Sequence, residues 1–304
     1  MANPEHLARL WQGAASWSRW RAEAAAIEPD LSDADLTRRN FTEINFRQTN
    51  LRGANLQGSR LMAANLAIAT LSRANLNQTI LTDANLRQAE LGNALLQQAN
   101  LQGADLVGAN LIGADLSGAN LLGADLSQAN LIGTELRQVN LRQVILKHAD
   151  LSRTNLSQAI LIAACLNSSN LSRANLYRAE CQQAHFYQAT LVRASLLEAH
   201  GVGLYAVGAD LSEAILAGAD FSWATLSHAI LNNADLRETN LRGSDLERVD
   251  LSYANLAGAN LRGANLYKAN LMGANLTGAW LEDANLNQTV LSGATMPDGT
   301  ICAG

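Results

Sequence analysis

Glu180, His200 and Asp220 follow one another at a spacing of twenty residues, and Cys165 and His185 share that spacing. A carboxylate–imidazole–carboxylate set can bind a metal ion or tune a proton. A thiol beside an imidazole becomes a nucleophile only with an oxyanion site and a cleft. Arg153, Arg173 and Arg193 recur at the same interval, with Glu213 next, and His228, Arg248 and Lys268 form a second basic series. Gathered in a row, such cations would grip an acidic partner. Each of these chemistries depends on what brings residues twenty apart together, and on whether a pocket results.

The elements that must position them carry a shorter period. From Leu31 to Met296 every fifth residue is Leu or Phe, except Cys181, Gly201, Ala206 and Met296 itself. The phase never slips. A helix advances about 100° per residue, so leucines five apart scatter around it. In a strand an odd period throws successive leucines onto opposite faces. The flanking residues resolve this. Ala, with occasional Ser, Thr or Val, precedes the centres by two (Ala104, Ala109, Ala114), and commonly Asn or Asp by one (Asp105, Asn110, Asp115). Ala and Leu, two apart, point inward together while the residue between them points out. The next two residues must turn the chain, and a Gly there admits the positive φ of a type II turn. Each unit is one short side and one corner, and its repetition winds a coil around a dry leucine axis. Aromatics make up only 5% of the chain, as a narrow axis requires.

With these units the chain resembles the pentapeptide-repeat proteins over residues 30 to 296. The resemblance implies an all-β solenoid, a right-handed quadrilateral β-helix with four units per coil. About 13 coils at the inter-strand spacing would give a rod of ~65 Å. Neighbour contacts would sum to its stability, and its ends would need caps.

Three regions follow. Residues 1–30 lack the repeat and read as a capping helix. Asn3 can cap it, Pro4 suits its first turn, and Pro29 ends it. Leu7, Leu10, Trp11, Ala14 and Trp17 would form its apolar stripe. The stretch GAASWSRWR also looks like leaders of cyanobacterial members. Residues 31–296 form the repeat body, with an irregularity at 198–210 where Gly201 and Ala206 replace leucines. Leu204 sits there at an Ala position, a swap that conserves volume, and a bulge or local loop is expected. Residues 297–304 are a C-terminal tail, with Met296 and Ile301 closing the last coil.

Four units per coil would place residues twenty apart in columns on one face. Arg153, Arg173 and Arg193 would then stack, with a solvated surface as the plainer reading. Glu180, His200 and Asp220 would also stack, but on an open face, so they are only a weak metal candidate. Cys181 occupies an inward centre and should be an inert thiol. Between residues 88 and 136 there is no Lys or Arg. Asp105 would stack with Asp125, and Asp115 with Glu135 on the opposite side. Between them Val107, Ile112, Leu122 and Ile132 point outward beside bare glycine corners. This waist, apolar with acidic flanks, has the make-up of an interaction site.

The chain has 304 residues and a net charge of −5. That balance argues against bulk nucleic-acid binding. No run reaches the ~18 apolar residues of a membrane span, and the N-terminus lacks a signal-peptide pattern. Three cysteines do not make a disulfide framework. A soluble, cytoplasmic protein is expected. No phosphate loop, nucleophile elbow or metal-ligand spacing is present, so neither an enzyme nor a cofactor is expected. The reading is a non-enzymatic rigid scaffold for protein–protein interaction with an unidentified partner; self-association stays open. One alternative comes from the resemblance: a DNA-mimic modulator of DNA gyrase, which would need a strongly acidic rod. The other is a regulatory binding module for an unidentified bacterial partner.

Overall fold

The computed structural model describes residues 1–24 and 26–303; Ala25 and the last tail residue, Gly304, lie outside them. The chain divides into two compact units, Met1–Asp150 and Leu151–Gly304. The five-residue period sets the backbone in both. Single-residue parallel bridges link positions twenty apart, from Asp30↔Asn50 to Asn130↔Asp150 in the first unit and from Asn155↔Asn175 to Asn275↔Thr295 in the second. Four five-residue sides therefore close one coil, and each coil pairs with the next.

The unit around Leu106 shows how. Leu106 N–H donates to the Asp125 carbonyl at 2.7 Å, and Gly108 N–H to Ser127 at 2.9 Å. Asp105 N–H donates backwards to Ala84 at 3.0 Å, and Ala109 N–H closes the turn onto Leu106 at 2.9 Å. Three of the unit's N–H groups are satisfied by neighbouring coils and one by its own corner, so the inward Ala and Leu bury no unpaired amide. Leu106 and Ala109 are fully buried.

The corners depart from the expectation in one respect. Positive φ is not confined to glycine. The second corner residue takes φ between 51° and 60° as Arg, Gln, Glu or His, and even as the β-branched Ile68 at 60°. Non-glycine residues in this region cost of order 1–3 kcal/mol each and persist only where the surroundings impose them. Here the coil-to-coil hydrogen bonds impose them.

The irregular stretch 198–210 forms neither a bulge nor a loop. Glu180↔His200, His185↔Tyr205 and Thr190↔Asp210 keep the register. Leu204 and Ala206 are both buried, and Phe side chains from adjacent coils fill the space that Gly201 and Ala206 leave. About 10 Å³ stays open among Phe186, Leu204, Ala206 and Phe221. That is at the lower limit for one water, and the lining is apolar, so it stays dry.

Residues 1–30 hold two helices rather than the expected one: α1 (Pro4–Trp11) and α2 (Ala14–Glu23), broken at Gly13 with φ +99°. Asn3 caps α1 by accepting from Glu5 N–H at 2.9 Å. The break splits the expected stripe. Leu10 and Trp17 are buried, but Trp11 is half exposed, under the Arg39 guanidinium at 5.0 Å. Trp17 packs edge-on against Phe46 with centroids 5.7 Å apart. Its Nε1–H donates to the Asn45 carbonyl at 2.8 Å, and Arg21 Nη2 donates to the Arg47 carbonyl at 2.9 Å. One coil later the equivalent carbonyls, Asn65 and Ala67, accept backbone N–H groups from Phe46 and Gln48. The side chains of α2 thus stand in for the backbone donors of a preceding coil.

At the other end the tail folds back. Ile301 bridges Thr295 antiparallel, Cys302 N–H donates to Ala294 at 2.9 Å and Met296 N–H to Thr300 at 2.7 Å. Ile301 itself is exposed.

Candidate functional site

The outward Asn or Asp that stands before most centres is the first layer of the surface. Its Oδ1 accepts the N–H two residues on: Asp105 from Val107 at 3.1 Å, Asn110 from Ile112 at 3.2 Å. This short-range bond sets up each corner. Asn residues also bond up the column, Asn120 to Asn100 at 3.1 Å and Asn140 to Asn120 at 2.8 Å. The sequence reading assigned this position only to the outside; its turn-forming role explains why the repeat keeps Asn or Asp there.

The waist lies wholly in the first unit. Asp105 bridges Asp125, and Asp115 bridges Glu135. Gly113 N–H donates to the Ile132 carbonyl at 3.1 Å, which sets Ile132 one coil from Ile112. Ile112 is 40% exposed; Val107, Leu122 and Ile132 are half-buried. The acidic flanks are largely engaged. Asp105 pairs with Arg87 at 3.0 Å and Glu135 with Arg137 at 3.3 Å, the two cations that bound the Lys- and Arg-free run. Asp115 accepts from Ser117 N–H at 2.9 Å, Ser117 Oγ at 2.6 Å and Gln97 Nε2 at 2.7 Å. Desolvation pushes its pKa up, but these hydrogen bonds together hold it below the usual carboxylate value. Asp125 accepts from Ser127 N–H and Oγ in the same way. Asp105, Asp115 and Asp125 thus serve their own turns first.

In the second unit Arg153 N–H donates to Ser172, Arg173 N–H to Val192 and Arg193 N–H to Ser212, so the three arginines occupy one corner column. Arg193 is bidentate to Glu213 at 2.7 and 3.1 Å. That pair raises the Arg193 pKa and lowers the Glu213 pKa, chiefly through the hydrogen bond. Both are exposed, and such pairs add little stability.

Glu180, His200 and Asp220 do stack by parallel bridges. Asp220 Oδ1 is occupied by Ser222 N–H at 3.0 Å and Asn240 Nδ2 at 2.9 Å. Among the described residues no three His, Cys, Asp or Glu side chains are placed to hold a metal ion. Cys165 bridges His185, and its thiol is half-buried. Cys181 is fully buried, and burial pushes its thiol up to about 12, with Glu180 adding to the shift. At neutral pH it is protonated.

Sequence reading missed a second feature as well. Trp223 occupies a corner at φ +59° and is 62% exposed, beside a groove of about 480 Å³.

Comparison with known proteins places these columns in context. The pentapeptide-repeat family matches residues 30–200 and 207–298 in overlapping spans. The gap falls on the Gly201–Ala206 stretch. The chain belongs to the pentapeptide-repeat family, whose members form right-handed quadrilateral β-helices. Among solved structures it is similar to HetL, a pentapeptide-repeat protein involved in heterocyst differentiation regulation from the cyanobacterium Nostoc sp. strain PCC 7120. The identity is 32% over 88% of this chain and 94% of that one, with a TM-score of 0.24. It is also similar to Rfr23 of the cyanobacterium Cyanothece 51142, at 39% identity over 37% of this chain and 63% of that one, TM-score 0.20. QnrB1, a plasmid-mediated fluoroquinolone resistance protein, is 17% identical over 66% of this chain and 94% of that one, TM-score 0.34. No curated protein matches the chain. No enzyme family is indicated, and among the described residues no helix is long and apolar enough to cross a membrane.

Proposed function

We propose that this chain is a non-enzymatic, cytoplasmic scaffold that presents outer columns of its coils to a protein partner. In this reading residues 1–30 cap the repeat, residues 31–296 form a right-handed quadrilateral β-helix of about 13 coils, and residues 297–304 are a tail. The observation that carries the reading is the waist. Ile112 stands 40% exposed one coil from Ile132, beside glycine corners and between carboxylates held by their own turns and ion pairs. Exposed aliphatics rimmed by polar groups are the make-up of a docking face. The Arg153–Arg173–Arg193 column is a second, acid-seeking face of the same scaffold. DNA mimicry of the gyrase-binding kind finds little support, since −5 over 304 residues, interrupted by arginines, makes a weak field.

The test is affinity capture from the native cell with the wild-type chain and with Ile112→Arg/Ile132→Arg. Both should melt alike, and the variant should lose the captured partner. A partner retained undiminished by the double variant would exclude the waist as the docking face.

A further inference from the structure

Trp223 shares the left-handed φ of the other corners but fills its corner with an exposed indole. It adopts φ +59°, which disfavours any side chain, and it leaves a large apolar ring 62% exposed. The neighbouring coils carry Gly203, Gly243 and Gly263 at the same corner, all at positive φ. Glycine would relieve both costs. The next coil is shaped to the ring as well: a Cβ on Gly243 would stand 2.4 Å from Trp223 Cζ3. The indole lies on bare backbone there, with much of its surface turned to solvent. The φ is common to the corners of this fold; the exposed aromatic plane beside polar side chains is what points to a ligand.

The ring borders the groove of about 480 Å³, whose floor is Gly243 and Gly263 and whose walls are Arg242, Asn260, Arg262, Glu282 and Asp283. Arg262 is already set in place. Its guanidinium lies 4.2 Å from the Trp280 ring centre, and its Nε donates to Glu282 at 2.8 Å. Asn260 Oδ1 receives Arg262 N–H at 3.3 Å, and its Nδ2 donates to Asn240 at 3.1 Å. Preorganised polar groups lose little freedom on binding. Two arginines face two carboxylates, so the formal charge of the walls cancels. A cancelled field selects neither anion nor cation. What remains is an aromatic platform seated on Gly243, an open glycine at Gly263, and planar side chains able to bridge adjacent hydroxyls in pairs.

We infer that the Trp223 groove binds a neutral oligosaccharide, one pyranose ring lying against the indole and its hydroxyls bridging Arg242, Asn260 and Asp283. The C–H face of a pyranose is apolar and slightly positive, the complement of the negative π face. The coil spacing of about 4.8 Å repeats the polar rungs along the groove, so a trisaccharide spans from Trp223 to Asp283.

Saturation-transfer NMR on the full chain tests this with maltotriose, cellotriose and triacetylchitotriose. Each is offered at about 10 mM, enough to populate a millimolar complex. At least one should receive saturation at its ring protons. Trp223→Ala should weaken that ligand about tenfold or more, while Trp223→Tyr, which keeps a platform, should retain most of the binding. Tyr253→Ala is the control: Tyr253 also lies over a corner glycine, Gly273, but lines no part of this groove. Absence of transfer to all three sugars, or equal transfer to the Trp223→Ala variant, overturns the assignment. So does transfer lost equally in the Tyr253→Ala variant.

Discussion

Gly201 lies directly against the ring of Phe221 in the next coil: a Cβ on Gly201 would stand 2.7 Å from Phe221 Cε1. The two are the inward centres of one column, Gly201 N–H donating to the Asp220 carbonyl at 2.7 Å. The missing leucine is replaced by a larger side chain one coil away. Restoring the consensus with Gly201→Leu should therefore destabilise the protein by about 1–3 kcal/mol through overpacking. Adding Phe221→Leu should recover most of the loss. Urea denaturation of the two single variants and the double variant gives the coupling, and additive losses would show that the two side chains do not share one volume.

Adjacent residues should respond in opposite ways to the same charge. Leu121 is fully buried and Leu122 is only half-buried. Leu121→Asp places a carboxylate in a leucine axis without a partner, a penalty of several kcal/mol. Leu122→Asp meets solvent and should stay within about 1 kcal/mol of wild type. Equal losses of melting temperature would contradict the inward and outward assignment.

The N-terminal helices satisfy carbonyls that a further coil would otherwise take. Trp17→Phe keeps the ring packing on Phe46 but removes the donor to Asn45, and should cost about 1 kcal/mol. Deleting residues 1–28 should uncover both the donor-seeking edge and the apolar top of Phe41 and Phe46, and exposed edges recruit other chains. Light scattering should then register association. A truncated protein as small and soluble as the full chain would show that α1 and α2 are not needed as a cap.

Acid should act through the turn-forming carboxylates. Asp115 and Asp235 both lie below the usual carboxylate pKa. In Asp235 the Arg237 hydrogen bond is the main cause; in Asp115 hydrogen bonds outweigh opposing desolvation. A depressed folded pKa contributes stability that is present above the unfolded value of about 4 and lost as pH falls through the folded value. Asp115→Asn keeps the acceptor oxygen and abolishes the titration. Its melting temperature should match wild type at pH 7 and fall less steeply below pH ~4. Parallel acid profiles for the two proteins would remove Asp115 from the account.

Much of this architecture can be read from spacing alone. The phase from Leu31 to Met296 separates inside from outside because each unit repeats the same local choice. The columns then follow once four units close a coil. What spacing hides is compensation between coils. Gly201 and Ala206 look like a break until Phe221 and Phe186 are seen beside them, twenty residues away in sequence. Corner residues such as Ile68 violate local preference, because cross-coil hydrogen bonds override it. The break at Gly13 was visible as a glycine but lost inside an apolar pattern that ran across it. Trp223 gave no signal, since a lone aromatic at a polar corner looks like any exposed residue until its seat on Gly243 is known.

Because each coil pairs only with positions twenty before and twenty after it, insertions and deletions have graded consequences. Loss or gain of twenty residues within a unit leaves every column aligned and merely changes the number of rungs. Loss or gain of five keeps the leucine axis intact, yet shifts every later column onto the adjacent side. Recognition faces can thus be re-dealt in one genetic event with little penalty to folding. A surface made this way diversifies by sliding whole columns past one another as well as by point substitution.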